Sequence, residues 1–502
     1  MPSKPNRAAP LQLSAEDFRR AGHELVDAVA AFLESVPTRP VTPGESPQTI
    51  QSALDSGASL PVEGTDATVL LRDATALMFN HSLFNGHPRF FGYITSSPAP
   101  IGMLGDLLAA AVNSNVGSWQ LAPMATEIEA QTVRWIAELV GYPTDCGGLL
   151  VSGGNMANMV GLFAARVAAA GWDVRAEGVT AHAAPRLRVY ASSETHTWLH
   201  KATDLSGLGT NAVHWVAMDA AQRLDVTALR RAIAEDRAAG QLPMMVVGTA
   251  GSVSTGVVDP LADIARVCKN EGIWFHADGA YGAFAAALPG ASADLKSIAL
   301  ADSVALDPHK WLYAPMGAGC ILVRDAERLR QAFSYHPPYY HFGQAALNYV
   351  DFGPQNSRGF NALKVWLALR QVGRNGYVRM ISDDIRLSVR LHERVAAHPD
   401  LEAITQGLSI TTFRYVPQRL RATVGSADTE AYLNALNQAL LDRIQSSGEA
   451  FVSNAVIGRR YVLRACIVNF NTTESDVEAL PGIVARLGTE ADAILLKTSE
   501  PR

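Results

Sequence analysis

Apolar positions recur at two different spacings along this chain, and the change from one to the other divides it into regions. Leu25, Val26, Val29, Phe32 and Leu33 fall near helical spacing, behind a Ser14 suited to an N-cap with Asp17 three residues on. The Pro/Gly/Ser stretch at 38–47 separates that helix from another at about 47–55. Such an arm has little core of its own and is expected to pack on something else. From about 145 to 325 short apolar runs (LLVSG, RVYAS, HWVAM, MMVVG, IWFHA, SVALD, GCILVR) interleave with helical stretches such as NMANMVGLFAARVAAAG and LADIARVCKNEG. This alternation predicts a mostly parallel sheet covered by helices on both faces, with ligands at the carboxyl ends of its strands. Beyond about 385 a long helix through Leu391 and the strands SITTFRYV and YVLRACIVNF predict a smaller α+β unit. The expected organisation is a helical arm over 1–85, a large α/β domain over 86–384 and a small α+β domain over 385–502.

Composition narrows what such a chain does. Its 502 residues carry 42 Lys plus Arg and 48 Asp plus Glu, a formal charge of −6, too mild for an electrostatic grip on nucleic acid. With 18% of residues charged and 48% hydrophobic, the chain has apolar surface enough for a large core and for contacts between subunits. Cys146, Cys268, Cys320 and Cys466 are scattered, which gives neither a zinc framework nor a disulfide scaffold. No metal is expected. The amino terminus shows no apolar signal region and no run of 18 apolar residues follows, so a soluble, cytoplasmic protein without membrane contact is expected.

Four strand exits carry the candidate chemistry. In SVALDPHKWLYAPMGAGC a buried-type strand delivers Asp307, Pro308, His309 and Lys310 into a turn. Taken alone, a lysine there reads as an ordinary surface residue. However, Asp278 follows the strand of IWFHADGAYGAF 32 residues earlier, with the small Gly279 and Ala280 beside it, leaving room for a flat ring. A lysine that holds an aldehyde and a carboxylate that faces a ring nitrogen are the minimal apparatus for pyridoxal phosphate. Taken alone, Asp278 reads equally well as a helix cap. The Gly-Gly turn of LLVSGGNMANMVGLF opens a helix whose first amides suit a phosphate, placing Gly153, Gly154 and Asn155 around it. His196, at the end of YASSETH, is either a ring-stacking imidazole or a core histidine.

These residues resemble the pyridoxal-phosphate-dependent group II amino acid decarboxylases, aromatic L-amino acid decarboxylases in particular. The D-P-H-K-W and H-A-D-G-A-Y motifs carry the likeness, together with HPRFFGYITSSPAPIGMLGDLL, SWQLAPMATEIEAQTVRW and SRGFNALKVWLALRQVGRNGY. The resemblance implies the aspartate aminotransferase-like fold (fold type I) and a homodimer with active sites at its interface. It implies that Lys310 is the Schiff-base lysine, Asp278 pairs with the pyridine nitrogen, Ala280 touches the ring and His196 stacks over it. Gly154, Asn155 and His309 would serve the phosphate, and a loop tyrosine, aligned to Tyr339 with Tyr340 adjacent, would protonate the substrate carbon. Tyr93, Ile94 and Gly117 match pocket-wall positions, Gly117 standing where an aromatic residue is common. This chain departs from the family at TAGSVSTG, where Ser252 and Val253 replace paired threonines, so Ser252 is kept as a cofactor contact and Val253 is not. Asp307 stands where Asn is common. The implied activity is decarboxylation of an aromatic L-amino acid to its amine and CO2. The alternatives are an aromatic aldehyde synthase, a glutamate- or aspartate-type decarboxylase, and a degenerate scaffold without activity.

Overall fold

The computed structural model describes residues 9–180, 185–336 and 346–499. Helices α1 (Ala15–Ser35), α2 (Pro47–Leu54) and α3 (Ala67–Asn80) form the arm. Ser14 caps α1, its hydroxyl accepting the Asp17 amide at 3.0 Å. Phe32 stacks on Phe79 of α3 with ring centroids 4.0 Å apart, yet Ala21 is the only residue α1 buries, and α2 and α3 bury none. The arm therefore has no core within the described chain. Next come α4 (Pro100–Val112) and α5 (Pro123–Val140).

The seven apolar runs become seven strands: β1 (Gly147–Val151), β2 (Leu187–Ser192), β3 (Val213–Val216), β4 (Leu242–Thr249), β5 (Trp274–Asp278), β6 (Ser303–Leu306) and β7 (Gly319–Val323). They form one sheet in the order β1-β7-β6-β5-β4-β2-β3, in which β2 to β6 run parallel and β7 is antiparallel to both its neighbours. Between and after them lie α6 (Gly154–Ala169), α7 (Val174–Glu177), α8 (Trp198–Leu205), α9 (Val226–Ala238), α10 (Leu261–Glu271), α11 (Ala293–Lys296) and α12 (Ala326–Phe333). Helices cover both faces, which is why these strands read as continuous apolar runs. Val246 packs into the layer with Ile264 of α10, whereas its neighbour Val247 packs with Leu162 of α6.

Helix α13 (Ala362–Ala396) leads into β8 (Leu401–Gly407), β9 (Ile410–Tyr415), α14 (Ala427–Ser447), β10 (Ser453–Ile457), β11 (Arg460–Cys466) and α15 (Glu474–Ser499). The four strands pair antiparallel as β10-β11-β9-β8. The division expected at 384/385 falls inside α13, so a continuous helix joins the two units. Its Ile381 belongs to the core around the large sheet and its Leu387 to a second core with Phe413, Leu436 and Leu463. The helix kinks at Gly373, whose φ of 65° a side-chain-bearing residue adopts only with strain. Among the described residues no helix is long and apolar enough to cross a membrane.

Candidate active site

A cavity of about 350 Å³ opens at the carboxyl ends of β4, β5 and β6, where an open α/β sheet binds its ligands. Tyr93, Ile94, Gly154, Asn155, His196, Asp278, Ala280 and Lys310 all line it. A larger cleft of about 800 Å³ lies at the opposite ends of the strands, against Lys269, Trp274 and Arg324, and gathers none of them.

Lys310 sits in the tight turn after β6. Its amide donates to Asp307 O (2.9 Å) and its carbonyl accepts from Tyr313 N (3.1 Å), while Ser96 Oγ donates to His309 O (2.7 Å). Trp311 Nε1 and the Tyr313 hydroxyl both donate to Asp384 Oδ2 of α13, at 2.9 and 2.7 Å, and burial pushes that carboxyl up to about 7. The turn is thus strapped to α13 beyond Lys310 and, at His309, to the loop that precedes α4. Lys310 Nζ lies 3.3 Å from Asp307 Oδ2, in an ion pair whose carboxylate is almost wholly buried. Asp307, which stands where Asn is common in the family, also lines the cavity.

Asp278 ends β5. Its Oδ2 accepts the indole N–H of Trp198 at 2.7 Å and its Oδ1 the amide of Ala280 at 3.3 Å. His196 Nδ1 accepts the Trp198 amide at 3.2 Å, and burial lowers its pKa, with Asp278 opposing and Lys310 adding to the shift. His196 is consequently a neutral ring with its proton on Nε2. Gly154 opens α6 behind a Gly153 that offers no side-chain cap, so the first amides of the helix have no intrahelical acceptor. A Cβ at Gly154 would lie 2.6 Å from Asp307 Oδ2 and 2.9 Å from Ala280 Cβ, so only glycine permits this close approach. His309 lies behind this turn, 3.4 Å from where a Gly153 Cβ would be, with Nδ1 donating to Ala318 O at 2.9 Å.

Three of the expected residues, Ser252, Gly117 and His309, do not line the cavity. Ser252 Oγ is paired with Thr255 Oγ1 at 2.8 Å, closing a turn, and Val253 and Ser254 line the wall instead. Gly117 packs tightly against Asn356 O, where a Cβ would come within 2.3 Å, and is not among the lining residues. Tyr339, like Tyr340, lies outside the described residues. Conversely, Arg464 was missed. It is buried on β11 in the cavity wall, with Nη1 donating to Ser453 Oγ (2.8 Å) and Tyr93 O (3.3 Å), and its Nε and Nη2 have no partner among the described residues. An arginine inside the apolar run YVLRACIVNF was the available signal.

Residues 47–416 match the pyridoxal-dependent decarboxylase conserved domain. The chain belongs to this family. It is 32% identical to the aromatic-L-amino-acid decarboxylase of Bacillus atrophaeus over 93% of its own length and 94% of that protein's. It is 29% identical to the phenylacetaldehyde synthase of Arabidopsis thaliana, over 93% of this chain and 94% of the relative. Its fold superposes on Oryza sativa TDC, solved with PLP and tryptamine, with a TM-score of 0.88 and 28% identity, covering 96% and 99% of the two chains. The decarboxylase has the mostly parallel sheet of fold type I, and its cofactor is pyridoxal phosphate. The cavity suits that group. Glycine provides a close approach at Gly154, amides lie open at the start of α6, and Asp307 Oδ1 and Thr249 Oγ1, of two lining residues, are buried polar atoms without a partner among the described residues.

Proposed function

We propose that this decarboxylase converts an aromatic L-amino acid to its amine and CO2. The observation that carries the reading is the convergence of Lys310, Asp278, His196 and the amino end of α6 on one cavity. The printed activities of the relatives support an aromatic substrate. Bound pyridoxal phosphate supplies an electron sink for the carbon that loses CO2. Lys310 would hold its aldehyde carbon, with the Asp307 carboxylate paired to the amine at 3.3 Å. Asp278 would pair by charge with the ring nitrogen. His196, held at Nδ1 by the Trp198 amide, would cover the ring face. Gly154 and Asn155 offer α6 amides to the phosphate, with His309 behind them. Tyr339 would deliver a proton to the substrate carbon once CO2 has left.

Arg464 supports a second reading. Its unpartnered guanidinium nitrogens in the cavity wall would suit a substrate with a side-chain carboxylate. A panel of L-tryptophan, L-tyrosine, L-DOPA, L-phenylalanine, L-glutamate and L-aspartate, scored for CO2 and product, separates the possibilities. One amine per CO2 from an aromatic member is expected. Turnover confined to the acidic members would favour the second reading, and aldehyde with ammonia and peroxide, formed at the expense of O2, would make the chain an aldehyde synthase.

We also infer a homodimer. Leu104, Leu107, Leu108 and Val112 form one exposed face of α4, while its Gly102 and Gly105 allow the opposite face to sit against Lys364 of α13. Exposed Leu121, Met124 and the coreless arm add to this apolar surface, which a second copy would bury.

A further inference from the structure

One fully buried residue behind the cavity touches two of its key groups. Trp198, the first residue of α8, donates its amide N–H to His196 Nδ1 (3.2 Å) and its indole N–H to Asp278 Oδ2 (2.7 Å), 80 positions away. The indole is itself held in place. Its ring meets that of His276 at 73° with centroids 5.7 Å apart, and His276 is tied at both nitrogens, to Ser303 Oγ and to Asn158 Oδ1, each at 2.7 Å. Trp274 Nε1 donates to the same Ser303 hydroxyl at 2.8 Å. Because an amide oxygen only accepts, His276 Nε2 carries the proton and Nδ1 accepts from Ser303, so every member of this chain has one defined role. Asn158 also lines the cavity.

We propose that Trp198 is a positioning residue, which holds Asp278 and His196 at once and so fixes the carboxylate that meets the ring nitrogen and the imidazole that covers the ring face. The proposal rests on the roles given above to Asp278 and His196. Rotation of a carboxylate about its last bond is loosely restrained, and a short hydrogen bond from a donor that cannot itself turn removes that freedom. The Ala280 amide at 3.3 Å is too long to do this alone. Each carboxylate oxygen accepts more than one hydrogen bond, so the Trp198 contact leaves capacity for a ring N–H. At His196 the Trp198 amide selects the tautomer. A phenylalanine at 198 would keep the amide bond to His196 and the bulk of the ring while removing only the indole donor.

The test is a double-mutant cycle read as the affinity of the apoenzyme for pyridoxal phosphate, followed by absorbance titration, with the melting temperature of each apo form recorded alongside. Trp198→Phe is expected to weaken binding about tenfold in the wild-type background and less than twofold in Asp278→Asn. Equal losses in the two backgrounds, or no loss in the first, would overturn the clamp while leaving the role of Asp278 intact. An Asp278→Asn variant with unaltered affinity and turnover would instead remove Asp278 from the site, and the clamp with it. If Trp198→Phe does not fold, Trp198→His returns a ring N–H at the matching position and is expected to bind within threefold of wild type. A tenfold loss in that variant would also overturn the proposal.

Discussion

At the scale of single residues, burial decides both which groups carry charge and which were readable in advance. His276 is wholly buried, and desolvation drives its pKa down to about 4. The unfolded chain takes up a proton near 6.5, whereas the folded one resists until about 4. The stability this residue confers is therefore complete above 6.5 and falls away as the pH drops toward 4, by about 3 kcal/mol in all. His276→Gln should be less stable than wild type at pH 7.5, and the gap in melting temperature should close as the pH is lowered to 4.5. A gap that stays constant over that range would show that His276 does not resist protonation. Lys310 and Asp278 were legible in the sequence because each stands at the carboxyl end of an apolar strand, where such sheets place their ligands. Trp198 and Arg464 were not. Their contacts run across 80 and 371 positions, to Asp278 and Tyr93, and the one local sign was the charge of Arg464 inside an apolar run. Ser252 misled for the opposite reason, since a hydroxyl named by its position in a motif is consumed by its own turn.

At the scale of elements, periodicity located all seven strands of the large sheet, because strands buried on both faces stand out as apolar runs. It did not reveal that β7 runs against its neighbours, since direction depends on connections rather than on composition. Nor did it find β8 or β10, whose burial is incomplete and whose sequences, LEAITQG and SNAVI, carry no continuous apolar signal. The strap on the Lys310 turn makes α13 part of the site's architecture. Asp384→Ala would leave Trp311 Nε1 and the Tyr313 hydroxyl as buried donors without an acceptor, at a cost of about 3 kcal/mol. Denaturant titration should register that loss, together with weaker cofactor retention as the turn loosens. A change below about 0.5 kcal/mol would mean that the turn holds itself.

At the scale of the whole molecule, the proposed homodimer would bury the exposed face of α4 and the arm. Light scattering at micromolar concentration should give a dimer, and Leu107→Asp should shift it toward monomer with loss of turnover. A monomer with full activity would contradict the dimer. Everything argued for the site depends on Lys310 being the residue that holds the cofactor, because Asp278, His196 and the opening of α6 are assigned by their places around it. Borohydride reduction of the holoenzyme, followed by peptide mapping, tests this most directly. The expected result is one modified peptide, carrying the reduced cofactor on Lys310; a label on another lysine, such as Lys296 or Lys364, with Lys310 unmodified, would contradict it.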